Sequence, residues 1–185
     1  MKYFLGLLSA ITLIVIVFIL VLHGFSGSSK PKNQITLTDY ATSSTVVKLT
    51  VSGPVKADQN HQGYSITVGR DSNTIEVYQG YQNTVTQAKT YGNNSVAYAD
   101  FLRALQLQGF TKGSADTTQS DDRGVCPLGA RYTFEIQTAG ETIQRYWATS
   151  CGKGTFKGTS SSIMTLFKLQ IPEFPQITKD IILGT

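Results

Sequence analysis

Apolar residues are spaced in three different ways along this chain, and each spacing predicts a different element. Tyr3 to Leu22 is a run of twenty residues without a charge. At about 1.5 Å per residue, a helix of that length spans the roughly 30 Å hydrocarbon core of a bilayer. Alternation comes next. Thr45 to Val51 places Val47, Leu49 and Val51 on one side, Tyr64 to Gly69 does so with Tyr64, Ile66 and Val68, and Thr74 to Gln79 with Ile75 and Val77. Each reads as a half-buried strand. Arg70-Asp71-Ser72-Asn73 is turn chemistry between the last two. A four-residue turn would oppose Val68 with Ile75 and Ile66 with Val77, leaving both apolar sets on one face. A second hairpin runs from Arg131 to Ile136, through Gln137-Thr138-Ala139-Gly140, to Glu141–Thr149. Ile35 to Leu37 is also rich in β-formers, while Tyr78 to Asn94 mixes loop and strand signals.

Helical spacing is the third pattern. Tyr98, Phe101, Leu102 and Leu105 recur on one face, Asn94 or Ser95 can cap the start, and Gly109-Phe110 suits a Schellman ending. Ile163, Leu166 and Phe167 repeat the pattern within Ser160 to Ile171, although Leu169, Gln170 and Ile171 blur it. Pro172 ends that helix, and Pro175 leads to a short apolar tail, Ile181 to Leu183. The sum is an α+β chain: an N-terminal transmembrane helix, then one domain with a mainly antiparallel sheet and about two packed helices. The expected division is an anchor at 1–23, a Gly/Ser/Pro/Lys-rich tether at 24–33 (GFSGSSKPKN from Gly24), and an extracytoplasmic domain at 34–185.

A secretory signal has the same basic start, but its apolar core runs only about 7–15 residues, so a retained single-pass anchor is preferred over cleaved secretion. Gly24 and Ser26 mark where cleavage would fall in that alternative. Lys2 on one side and Lys30 with Lys32 on the other nearly balance the positive-inside count. Cysteine usage and surface polarity therefore decide the orientation, with the C-terminal domain outside the cytoplasm. A type IV pilin reading fails, because the apolar run contains no Glu.

Charge distribution removes nucleic acid as a partner. The chain carries sixteen basic and twelve acidic residues, but Lys2, Lys30 and Lys32 all flank the apolar run. The remainder is nearly balanced and offers no Lys/Arg stripe for a phosphate backbone. The lipid bilayer, met through residues 3–22, is the one partner the composition names.

Cys126 and Cys151 are the only cysteines. They are equidistant from a turn centred between Thr138 and Ala139. That register opposes Phe134 with Ile143, Tyr132 with Arg145, Ala130 with Trp147 and, carried outward, Cys126 with Cys151. Directly opposed residues lie within disulfide reach, so a structural disulfide is expected, and with it an oxidising compartment. Two reduced cysteines in a cytosolic domain are the alternative.

Other candidates are set against plainer readings. His61 reads as a solvated loop residue, and no His/Cys/carboxylate spacing predicts a metal. Asp116, Asp121 and Asp122 lack the spacing of a calcium loop. Gly152 to Gly158, with Lys153 and Lys157, resembles an anion-binding nest but not a phosphate loop, so a flexible turn is preferred. Asn93-Asn94-Ser95 is either a glycosylation sequon or a helix cap. Tyr78, Tyr81, Gln82, Asn83 and Tyr91 lie in a stretch whose Tyr, Asn, Gln and Gly content suits recognition of a protein or glycan, with an ordinary strand as the alternative. No catalytic constellation and no cofactor motif is present in the sequence. A membrane-anchored binding or envelope-structural module is expected, with a secreted domain or an envelope enzyme with an unrecognised site as alternatives.

The stretches GPVKADQNHQGYSITVGR (53–70) and NNSVAYADFLRALQLQGF (93–110) resemble uncharacterised single-pass membrane proteins of small-genome bacteria. The resemblance implies a bacterial envelope setting and no activity.

Overall fold

Strand β1 (Thr45–Ser52) keeps its apolar alternation, and the sheet grows outward from it on both sides. In this computed structural model, which describes residues 36–41, 44–114 and 121–183, the other strands are β2 (Gln62–Val68), β3 (Ser72–Gln79), β4 (Thr84–Gly92), β5 (Arg131–Thr138) and β6 (Glu141–Thr149). They form one six-stranded sheet in the order β4-β3-β2-β1-β5-β6, every neighbouring pair antiparallel. The helices are α1 (Ser95–Leu107), α2 (Ser160–Leu169) and the one-turn α3 (Phe174–Ile177). The domain is thus α+β, with two main helices and a short third. The chain divides into units 1–34 and 35–185. The expected anchor and tether lie outside the described residues, among which no helix is long and apolar enough to cross a membrane.

One sheet face is covered. Val47, Leu49, Ile66, Val68, Ile75, Phe134 and Ile136 are all buried and join Tyr98, Leu102, Leu105, Ile163 and Phe167 from the helices in one cluster. Aromatic contacts knit it: Phe167 meets both Phe101 and Phe110, and Phe134 meets Phe110 and Phe156. Helix α1 ends as its sequence predicts. Asn94 accepts from the amides of Val96 and Ala97, Gly109 takes φ +77°, and the Phe110 amide donates to the Leu105 carbonyl at 3.1 Å. That last pair, with Gly109 donating to Gln106, is the Schellman arrangement, and it turns Phe110 into the core. Burial pushes the Tyr98 hydroxyl up to about 12, and that hydroxyl donates to the Thr45 carbonyl at 2.7 Å.

Three local expectations are corrected. Leu37 is not in a strand but begins a 3-10 turn, Leu37–Tyr40, whose first amide donates to Gln106 on α1. In the first hairpin only Arg70 and Asp71 form the turn, so Ile66 opposes Ile75 and Tyr64 opposes Val77. The slip is two residues, an even number, so the apolar face is unchanged. In the second hairpin the turn is Ala139-Gly140, both with positive φ (52° and 85°), as a type I′ turn requires. With an irregularity at Ile136/Gln137, Phe134 opposes Tyr146 rather than Ile143, and Thr133 opposes Trp147.

The disulfide between Cys126 and Cys151 is present, with 6.0 Å between Cα atoms, although the register that predicted it is wrong. In the true register Ala130 meets Ser150, whose amide donates to it, and Gly129 comes next. The turn Cys126-Pro127-Leu128-Gly129, closed by the Gly129 amide on the Cys126 carbonyl, folds Cys126 back over Gly129 and brings it to Cys151. A Cβ at Gly129 would lie 2.4 Å from the Cys126 sulfur and 2.2 Å from Ser150 Oγ, so only glycine fits beneath the bridge.

Candidate functional site: an open polar trough on the sheet

The positions that alternate with the buried ones face the other way, and no described helix covers them. Lys48, Thr50 and Ser52 project from β1, Ser65 from β2, Glu76 and Tyr78 from β3, and Arg131 and Thr133 from β5. With Arg145 of β6, they line a concavity of about 390 Å³. Hydroxyls and charges are concentrated on its floor, and Tyr78, Tyr81 and Val85 add apolar surface to the lining.

At one end the floor is balanced by ion pairs. Asp122 Oδ2 accepts from Arg145 Nη2 at 2.9 Å, and its Oδ1 lies 3.5 Å from Arg131 Nη1. Arg145 also approaches Glu135 at 3.7 Å. Outside this cluster, Arg123 grips Asp121 as a two-point fork and holds its carboxyl well below the usual carboxylate range. In mid-floor the Ser65 hydroxyl donates to Glu76 at 3.3 Å. Lys48 is half-buried opposite Glu135 in the β1–β5 ladder and has no hydrogen bond or ion pair among the described residues.

The other end is built around a glycine and a histidine. Tyr78 is the cross-strand partner of Gly63, and its ring lies over it. A Cβ there would come within 2.5 Å of that ring. The Tyr78 hydroxyl reaches across β2 to donate to the Val51 carbonyl at 3.1 Å, and burial raises its pKa. Beside it, His61 is only 3% exposed, which overturns the solvated-loop expectation. Its ring stacks under Tyr81 at 4.2 Å with a 16° interplanar angle. Nδ1 lies 3.2 Å from the Pro54 carbonyl, which can only accept, so Nδ1 carries the hydrogen. Nε2 is then free to accept from Ser52 Oγ, 3.0 Å away. Tyr81 is itself held: its hydroxyl donates to the Lys56 carbonyl at 2.8 Å, and its amide donates to Asp58 at 2.7 Å.

The five candidate surface residues divide. Tyr78, Tyr81 and Asn83 line the trough, whereas Gln82 is exposed in the same turn without lining it. Tyr91 sits on β4 opposite Asn73, on the helix side of the sheet, with Lys89 over its ring at 5.7 Å. The rest of that stretch is the edge strand β4, whose nine residues are mostly exposed on both faces. That double exposure hid the strand, because it removes the alternating apolar signal.

The remaining candidates are placed elsewhere. The amides of Lys153, Phe156 and Lys157 donate to Thr149, Trp147 and Lys112, so the 152–158 loop is pinned rather than open as a nest, and Lys153 and Lys157 are exposed. Asp121 and Asp122 are committed to arginines, and Asp116 lies outside the described residues. Among the described residues no three His, Cys, Asp or Glu side chains converge as a metal site would need. The sequon nitrogen of Asn93 donates to the Gly69 carbonyl and to Asn73, while Asn94 is the helix cap. The residues sequence reasoning missed are Lys48, Ser52, Glu76, Arg131 and Arg145, while His61 was singled out but read as solvated. The polar half of the β1 alternation, Lys48-Thr50-Ser52, was the available signal for the floor. No family model matches the chain, and no curated protein matches its sequence.

Proposed function

We propose that this chain is a single-pass, membrane-anchored, extracytoplasmic binding module of a bacterial envelope, and that the open trough is its recognition surface. Residues 3–22 enter the bilayer and 24–33 tether the domain. The uncovered polar sheet face carries the reading. One face of an antiparallel sheet is commonly solvated, but this one gathers hydroxyls, an ammonium at Lys48 with no partner among the described residues, and a carboxylate at Glu76 into one concavity. The disulfide supports an oxidising location. The trough's two tyrosines, Tyr78 and Tyr81, sit together at one end with their hydroxyls bonded to the Val51 and Lys56 carbonyls, rather than forming the central apolar anchor that protein partners use. A hydroxyl-rich glycan is the ligand its chemistry favours.

The test uses the full chain in detergent micelles and soluble fragments of envelope polysaccharide, measured by calorimetry. Wild type is expected to bind, and Thr50→Trp, which fills the trough without entering the core, to bind at least about tenfold more weakly, a difference of about 1.4 kcal/mol. Binding unaffected by Thr50→Trp, or no binding by the wild type, overturns the assignment of the trough.

A further inference from the structure

Ser52, His61 and the Pro54 carbonyl stand in the relation of nucleophile, base and orienting group, at 3.0 Å and 3.2 Å. That is the geometry an activated serine requires: a base within hydrogen-bond reach, itself fixed in one tautomer by a third group. We infer that Ser52 is a nucleophile activated by His61, and that the trough hydrolyses a carboxylic ester borne by a polar, hydroxyl-rich carrier.

Three further observations support this beyond the dyad. Ser52 and His61 both line the concavity, so the pair faces ligand space rather than core. His61 is clamped by the Tyr81 ring, itself part of the trough lining, which excludes water from one ring face and fixes its plane. Arg131 is the cross-strand partner of Ser52 on the same sheet face. Such pairs place their Cβ atoms about 4.5–5.5 Å apart. Its Nη1 is held on Asp122, through the main-chain oxygen at 3.2 Å and Oδ1 at 3.5 Å, and the guanidinium has further donors to offer a developing oxyanion.

The chemistry balances without a cofactor. Ser52 Oγ attacks the ester carbonyl carbon as its proton passes to His61 Nε2, and the carbonyl π pair moves to oxygen beside Arg131. Collapse breaks the bond to the alcohol oxygen, which takes the proton from Nε2 and leaves an acyl-Ser52. Water then attacks that acyl carbon, giving its proton to His61, which returns it to Ser52 Oγ as the acid departs. Ester and water become acid and alcohol. The carrier class rests on the trough reading above, whereas the dyad does not.

The experiment treats the full chain in detergent with a fluorophosphonate probe and maps the adduct by mass spectrometry. Labelling at Ser52, absent in Ser52→Ala and slowed about 100-fold or more in His61→Gln, is the expected result. Because His61→Gln also removes a buried contact, Ser52→Cys provides a second readout. Paired with His61, its thiol should alkylate with iodoacetamide well below the ordinary thiol range near pH 8.5. No Ser52 adduct, or alkylation of the Ser52→Cys thiol only near pH 8.5, overturns the inference and leaves the pair as a clasp between β1 and the turn before β2. Labelling of Ser52 without glycan binding would keep the dyad and remove only the carrier class.

Discussion

Phe134 and Thr133 are neighbours on β5, yet they serve the two faces of the sheet in different ways. Phe134 is fully buried among Phe110, Phe156 and the residues of β1. Thr133 is nearly as inaccessible at 9% exposed, but it lines the trough, between Thr50 on β1 and Trp147 on β6. The covered face is held by packing, with many contacts that fail together if one is removed. The open face is held by ion pairs and hydroxyls, arranged along strands whose positions the other face already determines. Burial alone therefore does not distinguish the two, and what a side chain is buried against does.

The largest test of that contrast is on the covered side. Phe134→Ala removes a ring in contact with two other aromatics and should cost about 3–5 kcal/mol, measured by urea unfolding. Thr133→Ala, one residue away, deletes a hydroxyl and a methyl and should cost about 1 kcal/mol. Equal losses would mean that both faces carry the fold.

The two faces were not equally legible in the sequence. Alternation marked the apolar side of β1, β2 and β3, and a hairpin slip of two residues could not move it, because the side-chain period is two. The helix α1 was readable to within one residue, expected over 95–108 and found over Ser95–Leu107, since Asn94 and Gly109 mark its ends chemically. Turn geometry was less so. Nothing in Gln137-Thr138-Ala139-Gly140 announced that Ala139 would accept a positive φ, and the register of β6 followed from that. The dyad was hidden for another reason. His61 acquires its burial from Tyr81, twenty residues later, and its orientation from Pro54, which are tertiary contacts with no local signature.

Next in size is the bridge between Cys126 and Cys151, which fastens the loop carrying Asp122 to the end of β6. In the chain-entropy model, a loop of 25 residues' separation gives about 3.5 kcal/mol. Cys151→Ser should lower stability by up to that amount in thermal unfolding. It should also loosen the Asp122 contacts with Arg131 and Arg145, and so weaken the open face more than the covered one. Hydrogen exchange separates the two effects. Faster exchange confined to the strands that border the trough at its arginine end, β5 and β6, sharpens the comparison, and uniform acceleration across the sheet breaks it.

The smallest expected effect is at Lys48. Its ammonium has no partner among the described residues, and its cross-strand neighbour Glu135 already faces Arg145. An exposed or half-exposed charge pair contributes about 0–1 kcal/mol, so Lys48→Ala should change stability by no more than about 0.5 kcal/mol. For a domain of this size that is about 1–2 °C in melting temperature. A side chain that stability does not need, placed in mid-floor of a concavity, is the kind that ligand binding retains. The same variant should therefore weaken capture of envelope polysaccharide several-fold while its melting curve superimposes on that of the wild type. A drop of several degrees would instead place Lys48 among the groups that hold the sheet together, and the open face would then be a structural surface like the covered one.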